Sequence, residues 1–283
     1  MNIHTLPEDL LATASAPIQL YNYHIAHTLT KNKVNLSKNT FSFLLHGTKE
    51  VFTDYEPIKL DKEQFLLIRA GNCLMTENIS SANKTYRSIL LFFTDEVLLD
   101  FLQNHQLETP KSKPAQPFQV FDYDSYIQNF VESLAQLNRL TPALQNEILP
   151  AKFREIMIYL VQIKGVESLH FLLGNHDDRE RHFINVIERN KLNKLSLQEL
   201  AFLCNMSLSS FKREFRKHYQ QPPSRWFQDQ RLEHAAYLLK QQKKRPIDLY
   251  EEIGYESLSN FTQAFKKKYG STPKQFQLSN LDF

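Results

Sequence analysis

Six glycines, scattered singly along 283 residues, leave no loop that could cradle phosphates with backbone amides, and neither a His-Glu-x-x-His run nor a Cys/His zinc spacing appears. An enzyme built on those motifs is not expected, and neither is a resident cofactor or metal. The two cysteines, Cys73 and Cys204, lie far apart in no Cys-x-x-Cys pairing. That excludes a disulfide framework and fits a reducing compartment; both read as small buried hydrophobes. Apolar runs such as Ile89 to Phe93 are strand-sized, well short of the roughly 20 residues that span a bilayer, so no membrane segment is expected. Met1 to Ala16 lacks a basic start followed by an apolar run, and Pro7-Glu8-Asp9 interrupts it, so the segment does not read as a signal peptide and the cytoplasm is the expected location.

The length suggests two domains, at roughly one per 150 residues. Apolar and charged fractions of 42% and 23% are those of an ordinary folded protein. Charge is unevenly placed. Of 34 basic and 31 acidic residues, residues 1–178 hold 15 and 20, leaving 19 and 11 in residues 179–283. The C-terminal part therefore carries the charge suited to a polyanion.

In the first half, Phe41 to Leu45, Gln64 to Ile68 and Ser88 to Phe93 recur between turn signals such as His46-Gly47 and Ala70-Gly71-Asn72. That spacing predicts an antiparallel sandwich or barrel over about 18–95. Asp95 to Leu102 reads as a short helix and Thr109 to Pro117 as a surface loop. Ile127, Phe130, Val131 and Leu134, then Phe153, Ile156, Met157, Leu160 and Val161, repeat at helical spacing, giving a helical pair over about 122–164. Either stripe could form a dimer interface; equally, both could cover the sheet. The polar stretch Gly174 to Arg179 marks the boundary, giving a domain over 1–174, a linker over 175–180 and a second domain over 181–283.

The second domain contains a repeat. Ser209-Ser210-Phe211-Lys212-Arg213-Glu214-Phe215-Arg216-Lys217-His218-Tyr219 is echoed fifty residues on by Ser259-Asn260-Phe261-Thr262-Gln263-Ala264-Phe265-Lys266-Lys267-Lys268-Tyr269, and Pro223 and Pro273 keep the step. A shorter helical segment and a tight turn precede each block: Leu197 to Cys204 then Asn205, and Ile247 to Ile253 then Gly254. This is helix, sharp turn, helix, over about 196–219 and 246–269. Ser196-Leu197-Gln198-Glu199 is a capping box, and Pro246 and Pro273 suit first helical positions. Between the units, Ser224 to Gln241 should be one helix of roughly 27 Å at 1.5 Å per residue. The predicted class is α+β: an N-terminal β-barrel or sandwich with a helical pair, then an all-α domain of two helix-turn-helix units joined by a long helix.

Phe211, Phe215 and Tyr219, like Phe261, Phe265 and Tyr269, recur every fourth residue and face the core, which frees the opposite face. Ser209, Arg213 and Arg216 lie on that face with Lys212 at its flank, as do Ser259, Gln263 and Lys266 with Thr262. These side chains suit a major groove, where Arg or Lys donates twice to guanine, Gln pairs with adenine, and Ser or Thr serves either. Arg213 is the first choice for base readout. Lys217, Lys267 and Lys268 beside the face, and the backbone amides at the helix starts near Ser196 and Ser257, suit phosphates.

Over roughly Phe183 to Gln277, including Arg231-Leu232-Glu233-His234-Ala235-Ala236 and the whole of Gly254 to Pro273, the chain resembles the DNA-binding domain of AraC/XylS-type transcription regulators. Even the second unit's one-residue-longer turn is shared. The resemblance implies base-contacting positions at Ser209, Lys212 and Arg213, and at Leu258, Ser259, Thr262 and Gln263. It also implies a cupin-like N-terminal barrel for sensing and dimerisation, a homodimer, a small-molecule or protein effector, and an activator acting through RNA polymerase. One departure stands out: Tyr250 occupies a position where the family usually has a small residue, as Ala201 is in the first unit, and overpacking there can cost about 1 to 3 kcal/mol. Glu251 and Glu252 follow it.

Two rivals remain. A non-specific architectural DNA- or RNA-binding protein needs only the basic charge. A cupin-type metal protein needs clustered ligands, but His46 stands alone among the strands, His24 and His27 fall outside any ligand pattern, and His176 and His182 read as solvated. Glu77, Arg69 and Arg87 could line a pocket or face water, so no ligand residue is assigned.

Overall fold

The computed structural model describes residues 3–11, 16–53, 57–82, 84–107, 116–137, 139–173, 179–242 and 244–279. The chain forms two compact units, Met1–Phe183 and Ile184–Phe283. Residues 175–178 of the expected linker, with His176, and 109–115 of the expected loop lie outside the described residues.

Among the described residues the first unit holds ten strands in two sheets. They are β1 (Ile3–Leu6), β2 (Ile18–Ile25), β3 (Leu29–Leu36), β4 (Asn39–His46), β5 (Thr48–Phe52), β6 (Ile58–Leu60), β7 (Gln64–Ile68), β8 (Gly71–Asn78), β9 (Tyr86–Phe93) and β10 (Phe118–Asp122). One sheet runs β1-β3-β8-β5-β6 and the other β10-β7-β4-β9-β2. The expected strands appear as β4, β7 and β9. Two further strands, β1 and β10, fall outside the expected 18–95. The antiparallel expectation needs one correction, since β1 pairs with β3 in parallel; the intervening β2 belongs to the other sheet, which supplies the crossover a parallel pair needs.

The second sheet is covered on both faces, which explains its near-continuous apolar runs. Leu44, Leu66, Ile68, Leu90 and Phe92 meet Val34, Leu36, Val51, Cys73 and Met75 in the core between the sheets. Phe41, Phe43, Phe65, Leu91 and Phe93 face the other way, into a core shared with helices α1 (Asp95–Asn104), α2 (Ser125–Leu137) and α3 (Pro142–Lys164) and a 3-10 segment, Val166–Leu173.

The two helical stripes end in that core. Ile127, Phe130, Val131 and Leu134 of α2, and Phe153, Ile156, Met157 and Leu160 of α3, are each under 5% exposed. Phe130 sits 5.8 Å from Phe43, and Phe153 4.9 Å from Phe93, between ring centroids. Each such burial is worth about 1.5 to 3 kcal/mol. The stripes therefore cover the sheet, the second of the two alternatives.

Cys73 is buried, which pushes its thiol up to about 12, and Cys204 is buried too. No single described helix is long and apolar enough to cross a membrane. In the second part of the chain follow α4 (Arg179–Asn190), α5 (Leu197–Leu203), α6 (Leu208–Tyr219), α7 (Pro223–Gln241), α8 (Pro246–Leu249), α9 (Leu258–Tyr269) and α10 (Pro273–Ser279).

Candidate nucleic-acid interface

The two units repeat in their turns and in the caps of α6 and α9, and differ at the start of their first helices, where only α5 has a side-chain cap. In the first, Ser196 Oγ accepts from the Glu199 amide at 3.2 Å and Glu199 Oε2 accepts from the Ser196 amide at 2.6 Å, a complete capping box at the start of α5. The turn after α5 is closed by Asn205 N–H donating to Phe202 O and Met206 N–H to Ala201 O; in the second unit Gly254 donates to Glu251 O and Tyr255 to Tyr250 O. Asn205 (φ 56°) and Gly254 (φ 85°) both take the left-handed backbone that turns the chain toward the next helix. Ser207 then caps α6 by accepting from the Ser210 amide, and Ser257 caps α9 by accepting from the Asn260 amide, each at 3.2 Å.

The capping box carries a measurable expectation. Ser196→Ala should cost about 1 kcal/mol, seen as a lower midpoint in denaturant unfolding of the second unit. An unchanged midpoint would mean that the cap contributes nothing.

The units differ where Tyr250 replaces Ala201. Ala201 is 1% exposed, whereas Tyr250 is half-buried and points its hydroxyl to Glu251 Oε1 at 2.9 Å. The α8 helix is one turn long and ends at Leu249, shorter than the expected Ile247 to Ile253, and tight turns carry the chain on to Gly254. The phenol rests at the edge of the core instead of overfilling it, and regular helix is given up beyond it. Glu252 is held by Lys244 at 2.6 Å, so part of the acid expected here is already neutralised.

The aromatic stripes are core: Phe211, Phe215, Phe261 and Phe265 are each 0% exposed. Opposite them on α6, Ser209, Lys212, Arg213, Arg216 and Lys217 are exposed; on α9, Ser259, Gln263, Lys266 and Lys267 are. The structure thus groups each set on one helix face. Thr262 and Leu258 are half-buried, Leu258 against the hydrophobic core of its unit. Lys217 ion-pairs with Glu214 at 3.2 Å while staying 71% exposed, and its hydrogen bond holds the Glu214 carboxyl below the usual range.

Lys268 is placed otherwise. Its ammonium donates to Asp229 O and Glu233 Oε1, both at 3.0 Å, and lies 3.3 Å from Asp229 Oδ1. Although partial burial opposes the charge, these partners hold its pKa above the ordinary value. Its two carboxylate partners tie α9 to α7, leaving Lys266 and Lys267 as the cations on the outer face.

Reading by helix face missed a cleft of about 580 Å³ beside α9, lined in part by Gln228, Arg231, Asn260, Gln263 and Lys267. Arg231, whose pKa burial lowers, has its Nε buried without a hydrogen-bond partner among the described residues. The sequence signal was an arginine among the apolar positions of α7.

Among the described residues no three His, Cys, Asp or Glu side chains converge as a metal site.

Two family descriptions match the chain: "ExsA N-terminal regulatory domain" over residues 39–171 and "Helix-turn-helix domain" over residues 200–279. The relatives found alongside these two descriptions are AraC-family regulators, to which the chain is similar. Its first half thus resembles a regulatory domain and its last part a helix-turn-helix domain. Among curated relatives, an uncharacterized HTH-type transcriptional regulator of Haemophilus influenzae is 28% identical over 55% of this chain and 53% of its own. The virulence regulon transcriptional activator VirF of Yersinia enterocolitica is 32% identical over 38% of this chain and 40% of its own. The HTH-type transcriptional regulator ExsA of Pseudomonas aeruginosa is 30% identical over 42% of this chain and 43% of its own. The chain thus spans about half or less of the length of the curated relatives it matches. Among solved structures, fatty-acid-bound ToxT from Vibrio cholerae aligns with 92% of this chain and 95% of its own at 11% identity and a TM-score of 0.40.

Proposed function

We propose that the regulator is a sequence-specific activator that reads two successive major grooves with α6 and α9. The observation that carries this is the repeat itself: two equivalent capped helices, each with an aromatic inner face and a polar, cationic outer one. The α7 helix, about 28 Å long at 1.5 Å per residue, suits the roughly 34 Å between successive major grooves on one face of DNA. Ser209, Lys212, Arg213 and Arg216 on α6, and Leu258, Ser259, Thr262, Gln263 and Lys266 on α9, would meet bases. Lys217, Lys267 and the amides near Ser196 and Ser257 would meet phosphates. VirF, 32% identical over the matched part, is described as an activator, which supports activation, with RNA polymerase as the recruited partner.

The reading places the protein with DNA in the cytoplasm, with no catalytic role, and gives its N-terminal domain control by an effector and self-association. A homodimer would use surfaces other than the buried stripes; on α3, Leu144, Ile158 and Ile163 are exposed.

Arg213→Ala is expected to cost about 1 to 3 kcal/mol on a selected operator and to relax preference at one base pair. Lys267→Ala should weaken selected and random DNA alike and lower the salt slope by about one. Titrations on both DNAs at several salt concentrations check this. Equal losses on selected and random DNA for Arg213→Ala would end its reading role.

A further inference from the structure

Between the two sheets of the N-terminal unit lies a cavity of about 220 Å³. Cores are ordinarily filled to crystal-like density, so a void of this size calls for an account. Much of its wall is apolar, Leu36, Ile68, Met75 and Leu90 among it, and His4 and Asp9, both about half exposed, line it where it meets solvent.

Set into that wall is a buried ion pair. Lys49 of β5 and Glu77 of β8 face each other in register, with Nζ 3.2 Å from Oε1 and side chains 3% and 6% exposed. Tyr23 of β2 donates its hydroxyl to Glu77 Oε2 at 3.0 Å, and Lys49 Nζ donates to Ser42 Oγ of β4 at 3.3 Å. Burying two charges costs several kcal/mol per ion, and a hydrophobic pair often serves stability as well or better. The pair is therefore poorly explained by stability alone, and it lines space that a small molecule could enter.

The bonding left over defines the ligand. An ammonium has three hydrogens to donate. Glu77 and Ser42 take two; the third faces the thioether of Met75, 3.6 Å from Nζ, a weak acceptor that a better one would displace. The Glu77 carboxylate, with about four lone-pair sites, accepts from Lys49 and Tyr23, and the buried Tyr86 hydroxyl lies within its electrostatic reach; that still leaves capacity for one further donor. The buried pair is electrically neutral as a whole, with Asp9 and His4 only at the solvent side, so an anion deep in the cavity would lie against Glu77 and a cation against Lys49, each in a setting where charge is poorly screened.

We propose that this cavity binds a small uncharged amphipathic molecule of roughly nine non-hydrogen atoms, scaled from the 150 Å³ cavity that takes benzene. It is a one-ring or branched aliphatic body bearing one hydroxyl or primary amide. That polar group accepts from Lys49 in place of the Met75 sulfur and donates to Glu77, while the body lies on the leucine and isoleucine wall. The proposal adds a ligand class to the effector control given above and rests on it only for the consequence, not for the binding.

The test is calorimetric titration of the full chain, without DNA, with 2-phenylethanol, phenylacetate and 2-phenylethylammonium, three probes that share a body and differ in charge. The alcohol should bind saturably, and at least about tenfold more tightly than either ion, because a like charge set against a buried one is penalised. Glu77→Gln, which leaves Lys49 unopposed, should shift preference to phenylacetate; Lys49→Met should shift it to 2-phenylethylammonium. Should either variant fail to fold, Val34→Phe, which projects a ring into the cavity, should abolish binding of the alcohol while circular dichroism stays native. An ion binding the unaltered protein as tightly as the alcohol, no saturable binding of the alcohol, or binding that survives Val34→Phe would each overturn the proposal. None of these readouts involves DNA, so failure here and failure of the DNA-reading assignment are separate results.

Discussion

Phe215→Ala should abolish DNA binding without altering one side chain of the outer face. Phe215 is 0% exposed and packs against Phe211 and Tyr219 of its own helix and Trp226 and Phe227 of α7, with ring centroids 4.5 to 5.8 Å away. Removing a buried phenyl ring costs about 3 to 5 kcal/mol in lost transfer energy and cavity, a large part of the 5 to 15 kcal/mol that holds a typical domain together. For a unit of about a hundred residues this corresponds to a Tm lowered by at least about 12 °C. Because the chain forms two compact units, the loss should fall on one of two calorimetric transitions, leaving that of the N-terminal unit in place. A variant that keeps its melting profile would show that α6 is not held by this aromatic cluster.

The second large effect lies in the regulatory domain. Lys49→Ala leaves Glu77 buried and uncompensated, and breaking a buried pair from one side costs about 3 to 5 kcal/mol. Removing both charges together, as Lys49→Met with Glu77→Leu, should be neutral or stabilising by up to about 4 kcal/mol. Urea unfolding of the two variants gives the comparison. If both lose stability equally, the pair is a net source of stability, and the reasoning that ties it to the cavity fails with it.

The outer faces of α6 and α9 were legible because period, capping residues and turn residues agree: a stripe every fourth position fixes the inner face and so the outer one. Ser196, Pro246, Pro273 and Gly254 mark helix ends and turns by conformational preferences that act locally. What was not legible depends on partners distant in sequence. Lys268 matches Lys267 in type and differs only in finding Asp229 and Glu233 on another helix. The destination of the α2 and α3 stripes was equally open, since periodicity does not name the surface a stripe meets; the sheet supplied it. β1 is only four residues long, with Leu6 alone buried, and its pairing with β3 makes it a strand. Lys49 reads as a surface residue within Thr48-Lys49-Glu50-Val51-Phe52, and its burial follows from β8 placing Glu77 opposite. The short α8 is a further example: Tyr250 reads as oversized for its position, but its hydroxyl finds Glu251 at the edge of the core, which no spacing announces.

The central claim is that two helices read sequence, and selection from random duplex DNA at near-physiological salt tests it most directly, using the purified full chain with residues 179–283 alongside. The account predicts enrichment of an asymmetric site with two half-sites about one helical turn apart, through which Arg213 and Gln263 contribute to different halves. DNA retained by either protein without any enriched sequence would contradict it and leave a basic surface that binds polyanions by charge alone.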